Sequence, residues 1–164
     1  MPRGVSVSLM TATFTEVTRA ACAPEELFTL SLSIDAHLAS MARSGERAVA
    51  GVTSGTIGLG ETVTWRARHF GVVWTMTSRI TALEHPRRFV DEQVRGPFRS
   101  FRHEHRFERD GDVTVMTDVV TLRSPLFGPI VEPLVLRPYL QRLIRARNAV
   151  LVAALSGPRP DPTP

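Results

Sequence analysis

At 164 residues the chain has room for one ordinary domain with a real core and is too short for two domains of normal size. Its twenty basic side chains are all arginine, and against sixteen acids they leave a net charge of +4. The arginines are scattered among Asp and Glu rather than clustered with aromatics, which speaks against a nucleic-acid partner. One cysteine, Cys22, excludes an intramolecular disulfide and any multi-cysteine metal site.

Ser8 to Thr18 alternates Met10, Ala12 and Phe14 with Thr11, Thr13 and Thr15, the pattern of a first strand. Ala23-Pro24-Glu25-Glu26 opens a helix, with proline in the first turn and two carboxylates at the positive end of the dipole. A second short helix is expected over Ser33 to Arg43, with Ile34, His37, Leu38 and Met41 at helical spacing and Ser44-Gly45 at its end. Ala48 to Val52 reads as a strand. The glycines of Ser54 to Gly60 form a turn rather than a phosphate cradle, because a strand and not a helix follows them.

The most informative stretch runs from Glu61 to Phe107. Val63, Trp65, Ala67 and His69 alternate with Thr64, Arg66 and Arg68, then Gly71 allows a reversal. Val72, Trp74, Met76, Ser78 and Ile80 continue the apolar face in a second long strand. The shared face carries Trp65, His69, Trp74 and Met76, a mixture that suits a cavity wall. Arg88 to Arg95, Phe98 to Arg109 and Val113 to Arg123 are three further strands, the last two joined by a turn at Asp110-Gly-Asp112. Pro125, Pro129, Pro133 and Pro138 argue against regular helix over most of that segment. Tyr139 to Leu155 is a long helix with Leu140, Leu143, Ile144, Leu151 and Leu155 on one face. The order predicts an α+β protein in which about seven antiparallel strands curve around a long C-terminal helix, with two short helices after strand 1. Residues 8–156 are expected to form one ligand-binding domain, and the proline-rich residues 157–164 a disordered tail.

His103-Glu-His105 is the strongest chemical signal. On a strand, Phe101, His103, His105 and Phe107 point the same way, so two imidazoles sit on neighbouring pleats. A metal would need a third ligand, for which His69 or Asp118 are candidates; the reading adopted is no metal and no cofactor. Hydrogen bonding into the wall, with Asp118 as partner, and general acid or base action are the alternatives. Trp65, Trp74, Phe101 and Tyr139 could present flat faces to a ring-shaped ligand. Asp91 and Glu92 lie on opposite faces of their strand, and the sequence leaves open which points inward. His37 and His85 are expected at the surface. No Ser, His and Asp set forms a nucleophile motif.

Ala23-Pro-Glu-Glu-Leu-Phe28 with Ile34-Asp-Ala-His37 resembles the helix opening of bacterial cyclase/dehydrase-like proteins. Val63-Thr-Trp-Arg-Ala-Arg-His-Phe-Gly71, Thr77-x-Arg-Ile-Thr81, Phe89-x-Asp-Glu92, Gly96-Pro-Phe98 and His103-x-His-x-Phe107 resemble a bacterial subgroup of SRPBCC proteins. The chain is thereby similar, from Met10 to Leu155, to the START-like superfamily, which includes Bet v 1 allergens, START lipid-binding domains and polyketide cyclase/dehydrase-like proteins. The resemblance implies a helix-grip fold and carries over no catalytic motif.

The first function expected is binding of a hydrophobic, lipid- or polyketide-like molecule in an internal cavity, by a cytoplasmic monomer or homodimer that does not insert into membranes. Its ligand-binding residues would be Trp65, His69, Trp74, Met76, Phe101, His103, His105, Asp118 and Tyr139. The second is a cyclase or dehydratase with His103 or His105 as proton shuttle. The third is a non-catalytic interaction module with a filled core.

Overall fold

The computed structural model describes residues 11–124 and 132–157. Strand β1 (Ala12–Ala20) leads to helices α1 (Pro24–Ser31) and α2 (Ile34–Ser40) and a short 3-10 turn (Ala42–Ser44). Strands β2 (Arg47–Gly51), β3 (Thr62–His69), β4 (Val72–Glu84), β5 (Arg88–Arg95), β6 (Ser100–Asp110) and β7 (Val113–Arg123) follow. A π-helical turn (Glu132–Leu136) runs into the long helix α3 (Arg137–Leu155).

The seven strands form one antiparallel sheet in the order β1-β7-β6-β5-β4-β3-β2. From β2 onward each strand pairs with the next, as hairpins dictate. The exception is β1, which pairs with β7 because the two helices carry the chain to the opposite edge before β2 begins. Register shifts at Ala48/Ala50, Thr77/Ser78 and Ile80/Ala82 interrupt the ladders, and such bulges increase local twist. Gly51 closes the edge strand at φ 73°, where an added Cβ would stand 2.1 Å from the carbonyl oxygen of Thr62. The β3–β4 reversal uses Phe70 (φ 53°) and Gly71 (φ 76°), two left-handed residues as a tight hairpin requires. The sheet wraps α3 in the helix-grip fold.

Local chemistry places the helices. Glu26 folds back to accept a hydrogen bond from the Ala23 N–H at 2.9 Å, and Ser33 Oγ caps α2 by accepting from the Ala36 N–H at 3.2 Å. Leu27 and Phe28 of α1 are fully buried. Phe28 meets Phe89 and Phe107 edge-on, with ring centroids 5.6 and 5.3 Å apart. A smaller cluster of Phe14, Val120, Leu122 and Ile144 joins β1, β7 and α3.

Several boundaries differ from the sequence reading. β1 extends to Ala20 because Arg19 and Ala20 still find partners in Val115 and Thr114, while residues 8–10 lie outside the described region. The second helix stops at Ser40, and Ala42–Ser44 tightens into a 3-10 turn ended by Gly45 at φ 62°. Helical structure begins earlier than expected, since Glu132–Leu136 is already a π turn and α3 starts at Arg137. Pro138 is the second residue of α3, directly after the π turn. Pro125, Pro129 and residues 158–164 of the expected tail lie outside the described residues.

On the convex side of the sheet, Glu104 is only 4% exposed and takes contacts from Arg102 (2.7 Å), Arg106 (2.8 Å) and Arg88 (3.5 Å). Burial by itself would raise its pKa, but the hydrogen bonds from Arg106 and Arg102 outweigh that and bring it from 4.5 to about 2. Glu104 thus adds stability that is complete above its unfolded pKa and is lost as the pH falls towards 2. With the guanidinium partners open to solvent, that contribution is about 1–2 kcal/mol. Acid titration of Glu104→Gln should show a shallower loss of stability between the two pKa values than the parent protein, and an unchanged slope would remove this assignment.

Candidate functional site

The concave face of the sheet does not close on α3. Between them lies a cavity of about 510 Å³ bounded by β3 to β6, by the α1–α2 junction and by α3. Its walls come from the face that alternation singles out: Trp65 and His69 of β3, Trp74 and Met76 of β4, and Phe101 of β6 all line it. The strand pairs Trp65–Met76 and Ala67–Trp74 put these side chains in rows across the wall. Phe98 stacks on Phe101 at 5.4 Å, and Leu140, Leu143 and Ile144 of α3 complete the apolar lining.

At one rim, His69 Nδ1 and the Tyr139 hydroxyl are hydrogen-bonded at 2.6 Å, tying the β3–β4 hairpin to the start of α3. The Trp74 indole N–H donates to the His69 carbonyl at 3.2 Å. Phe70, 61% exposed, lies against the Tyr139 ring at 4.5 Å. Burial lowers the His69 pKa and raises that of Tyr139; Glu46 opposes the first shift and adds to the second. Both side chains are therefore uncharged at neutral pH.

His37 corrects an expectation. It is not a surface residue: it stacks on Trp65 at 4.3 Å, contacts Glu46 Oε1 at 2.7 Å and borders the cavity. It does so because α2 turns that face towards β2 and β3. His85, as expected, is exposed, with its ring edge-on to Phe28.

The deep end of the cavity is polar. His103 and His105 both line it, with ring centroids 3.8 Å apart. Register sets Asp91 of β5 opposite His103, and Asp118 of β7 opposite His105. Asp91 is the inward member of its pair and borders the cavity; Glu92 points outward to Arg102 at 3.6 Å. Asp118 is fully buried and does not border the cavity but backs the histidines. Its Oδ1 accepts from His103 Nε2 at 2.8 Å. The same oxygen lies 2.8 Å from His105 Nδ1 but off the N–H direction, a charge contact and not a hydrogen bond. His105 Nε2 bonds Asp91 Oδ2 at 3.2 Å.

Helix α3 supplies the rest. Asn148 donates through Nδ2 to Asp118 Oδ2 at 2.6 Å and to Thr18 Oγ1 at 3.0 Å. Arg147 donates to Asn148 Oδ1 at 3.1 Å and to the Ser31 carbonyl at 3.2 Å, and borders the cavity floor. The sequence reading names neither, although both positions interrupt the apolar stripe that Leu143, Ile144 and Leu151 define. A polar residue on the buried face of an amphipathic helix is the signal that would have found them.

These contacts drive the two imidazoles apart. Burial lowers the His103 pKa, and the positive charge of His105 adds to it beyond what Asp118 restores. Burial would also lower His105, but Asp118 and Asp91 outweigh it and hold His105 above its ordinary value. Asp118 stands well below the usual carboxylate range, the contacts with His103 and His105 overcoming its burial; Asp91 is lowered for the same reason. His105 is thus the proton holder of the pair and His103 the neutral partner.

A helix-grip scaffold around an apolar cavity with a polar floor defines a protein of the SRPBCC, or Bet v 1-like, superfamily. Residues 11–156 match the family described as polyketide cyclase / dehydrase and lipid transport, and the chain belongs to that family. Among solved structures it is similar to the Zhui aromatase/cyclase from Streptomyces sp. R1128, with 14% identity, a TM-score of 0.71, and 88% of this chain and 93% of that one covered. Norcoclaurine synthase from Thalictrum flavum is similar at 16% identity and a TM-score of 0.63, over 96% and 95% of the two chains. The protein TTHA0849 from Thermus thermophilus is similar at 18% identity and a TM-score of 0.67, over 88% and 100%. At these identities the likeness speaks for the fold. No curated protein matches the chain in sequence. No helix among the described residues is long and apolar enough to cross a membrane.

Proposed function

We propose that the protein binds a hydrophobic small molecule, lipid-like or polyketide-like, in the cavity between the sheet and α3. The observation that carries this reading is the cavity itself: about 510 Å³, walled mainly by aromatic and aliphatic side chains, with Asp91, His103, His105 and Arg147 grouped at its floor. Volumes of roughly 300–1,000 Å³ with a few convergent polar groups are what small-molecule sites have. Family membership supports the same ligand class. A ligand with an apolar body and one polar head would set the head against His103, His105 and Arg147. We place the protein in the cytoplasm, as a monomer or homodimer.

The test is native mass spectrometry of the purified protein, followed by denaturation and analysis of any released compound, together with titration by an environment-sensitive apolar dye. One equivalent of dye bound, displaced by a fatty acid or an aromatic polyketide, is expected. Failure of both dye and lipid to bind would overturn the reading.

A catalytic reading, as a cyclase or dehydratase, is favoured by the geometry of the cavity floor, two imidazoles 3.8 Å apart that Asp118 and Asp91 contact unequally, which displaces their pKa values in opposite directions. Pairs held apart in this way divide into a proton donor and a proton acceptor, here His105 and His103. Replacing each by Gln separates the readings. Retained dye affinity with loss of turnover on a ketone-bearing substrate identifies an enzyme, whereas weakened affinity with no turnover in the parent identifies a binder.

A further inference from the structure

We infer that Asp91, His103 and His105 form a site for one divalent transition-metal ion at the floor of the cavity. One donor atom from each of the three residues can be chosen so that all lie within 4.8 Å of one another. Asp91 Oδ2 is 3.2 Å from His105 Nε2 and 3.8 Å from His103 Nδ1. Ligands on a tetrahedral ion, each at about 2.0–2.1 Å from the metal, stand roughly 3.3 Å apart, so the Asp91–His105 pair already has that spacing and the His103 ring has to draw in to enclose an ion.

Two further features separate this arrangement from an ordinary ion-paired cluster. His103 Nδ1, at 3.8 Å from the Asp91 Oδ2 that His105 Nε2 contacts, is too far for a hydrogen bond to it and stays near the same carboxylate oxygen. The other nitrogen of each ring, Nε2 of His103 and Nδ1 of His105, lies 2.8 Å from one oxygen of Asp118. Ligating histidines characteristically turn their second nitrogen to a carboxylate, which fixes the ring and strengthens the ligand. Asp118 accepts a hydrogen bond from the His103 ring and lies in charge contact with the His105 ring, and Asn148 anchors it from α3 at 2.6 Å. The backbone explains the preorganisation: Asp91 and His103 are register partners, and His105 follows two residues along on the same face.

Two histidines and one carboxylate form a donor set for Zn2+ or Fe2+ rather than for Ca2+ or Mg2+, which take oxygen ligands. The ion would displace the proton between His105 Nε2 and Asp91. Because all three ligands border the cavity, the remaining coordination positions open into it, where the ion can polarise an oxygen of a bound molecule. The ion and the Arg147 guanidinium together exceed the charge of Asp91 and Asp118, so the loaded floor favours an anionic oxygen head group.

The experiment uses the full chain stripped with a chelator and titrated with Co2+, read by ligand-field absorption and calorimetry. One equivalent is expected, with an intense low-coordinate spectrum and displacement by Zn2+. Asp91→Asn and His105→Gln should each lose more than the ~10–100-fold in affinity that removing a supporting partner costs. Glu92→Gln, on the outward face, should bind as the parent does. Absence of Co2+ binding, or binding retained in both Asp91→Asn and His105→Gln, overturns the site. Should His105→Gln fail to fold, Asp91→Asn decides, since Asp91 stands at the cavity surface with its side chain 22% accessible. The apolar-dye titration is independent of both results, so failure of the metal site and failure of the ligand cavity remain distinguishable.

Discussion

Asp118→Asn should be the most damaging single substitution at this site, costing about 3–5 kcal/mol, the range for removing one charge from a buried ionic cluster. Asp118 is completely buried and works entirely as an acceptor: Oδ1 faces both imidazoles and Oδ2 takes the Asn148 amide. An amide in its place keeps the shape but must aim an NH2 group either at Asn148 Nδ2 or at the histidines, setting donor against donor. It also removes the main counter-charge of the proton on His105. With about 5–15 kcal/mol expected for a whole domain, such a loss is a large fraction of the stability and should lower the Tm by roughly 10 °C. Denaturant unfolding of Asp118→Asn, Asn148→Ala and the double variant would check it. A coupling energy above about 0.5 kcal/mol is expected for two residues in one network. Additive effects, or a cost under about 1 kcal/mol for Asp118→Asn alone, would show that the network does not carry the stability assigned to it.

Ala67→Phe should abolish ligand binding while leaving the fold intact. Ala67 is 7% exposed, borders the cavity and faces Trp74 across the β3–β4 ladder. In a close-packed core a methyl-to-benzyl change overpacks and costs about 1–3 kcal/mol. Here the added ring has empty volume to enter beside Trp74, and it gains contacts with the apolar lining of the same space. We expect apolar-dye affinity to fall at least tenfold, which is about 1.4 kcal/mol, with a Tm within a few degrees of the parent. Undiminished affinity would place the dye elsewhere on the protein. A collapse of the Tm would mean that the cavity closes in solution.

Much of this architecture could be read residue by residue. Period-two alternation named the inward faces of β3 and β4 through Trp65, Trp74 and Met76, and it set His103 and His105 side by side. The apolar stripe from Leu140 to Leu155 named the gripping helix. These features are local, because the alternation of a strand and the turn of a helix depend only on residues within a few positions of each other.

What the tertiary structure alone decided is equally specific. Whether Asp91 or Glu92 points inward depends on which face of the sheet α3 covers, and nothing within β5 encodes that. Arg147 and Asn148 find their partners in Ser31, Thr18 and Asp118, all distant in sequence, so no local pattern assigns them a role. His37 left the surface because α2 docks on the β2–β3 edge. The β1–β7 pairing likewise joins residues about a hundred positions apart. A polar side chain can be buried only where partners arrive from elsewhere in the chain, so the composition of each strand foretold a cavity wall, while the chemistry of its floor waited on which strands and helix met there.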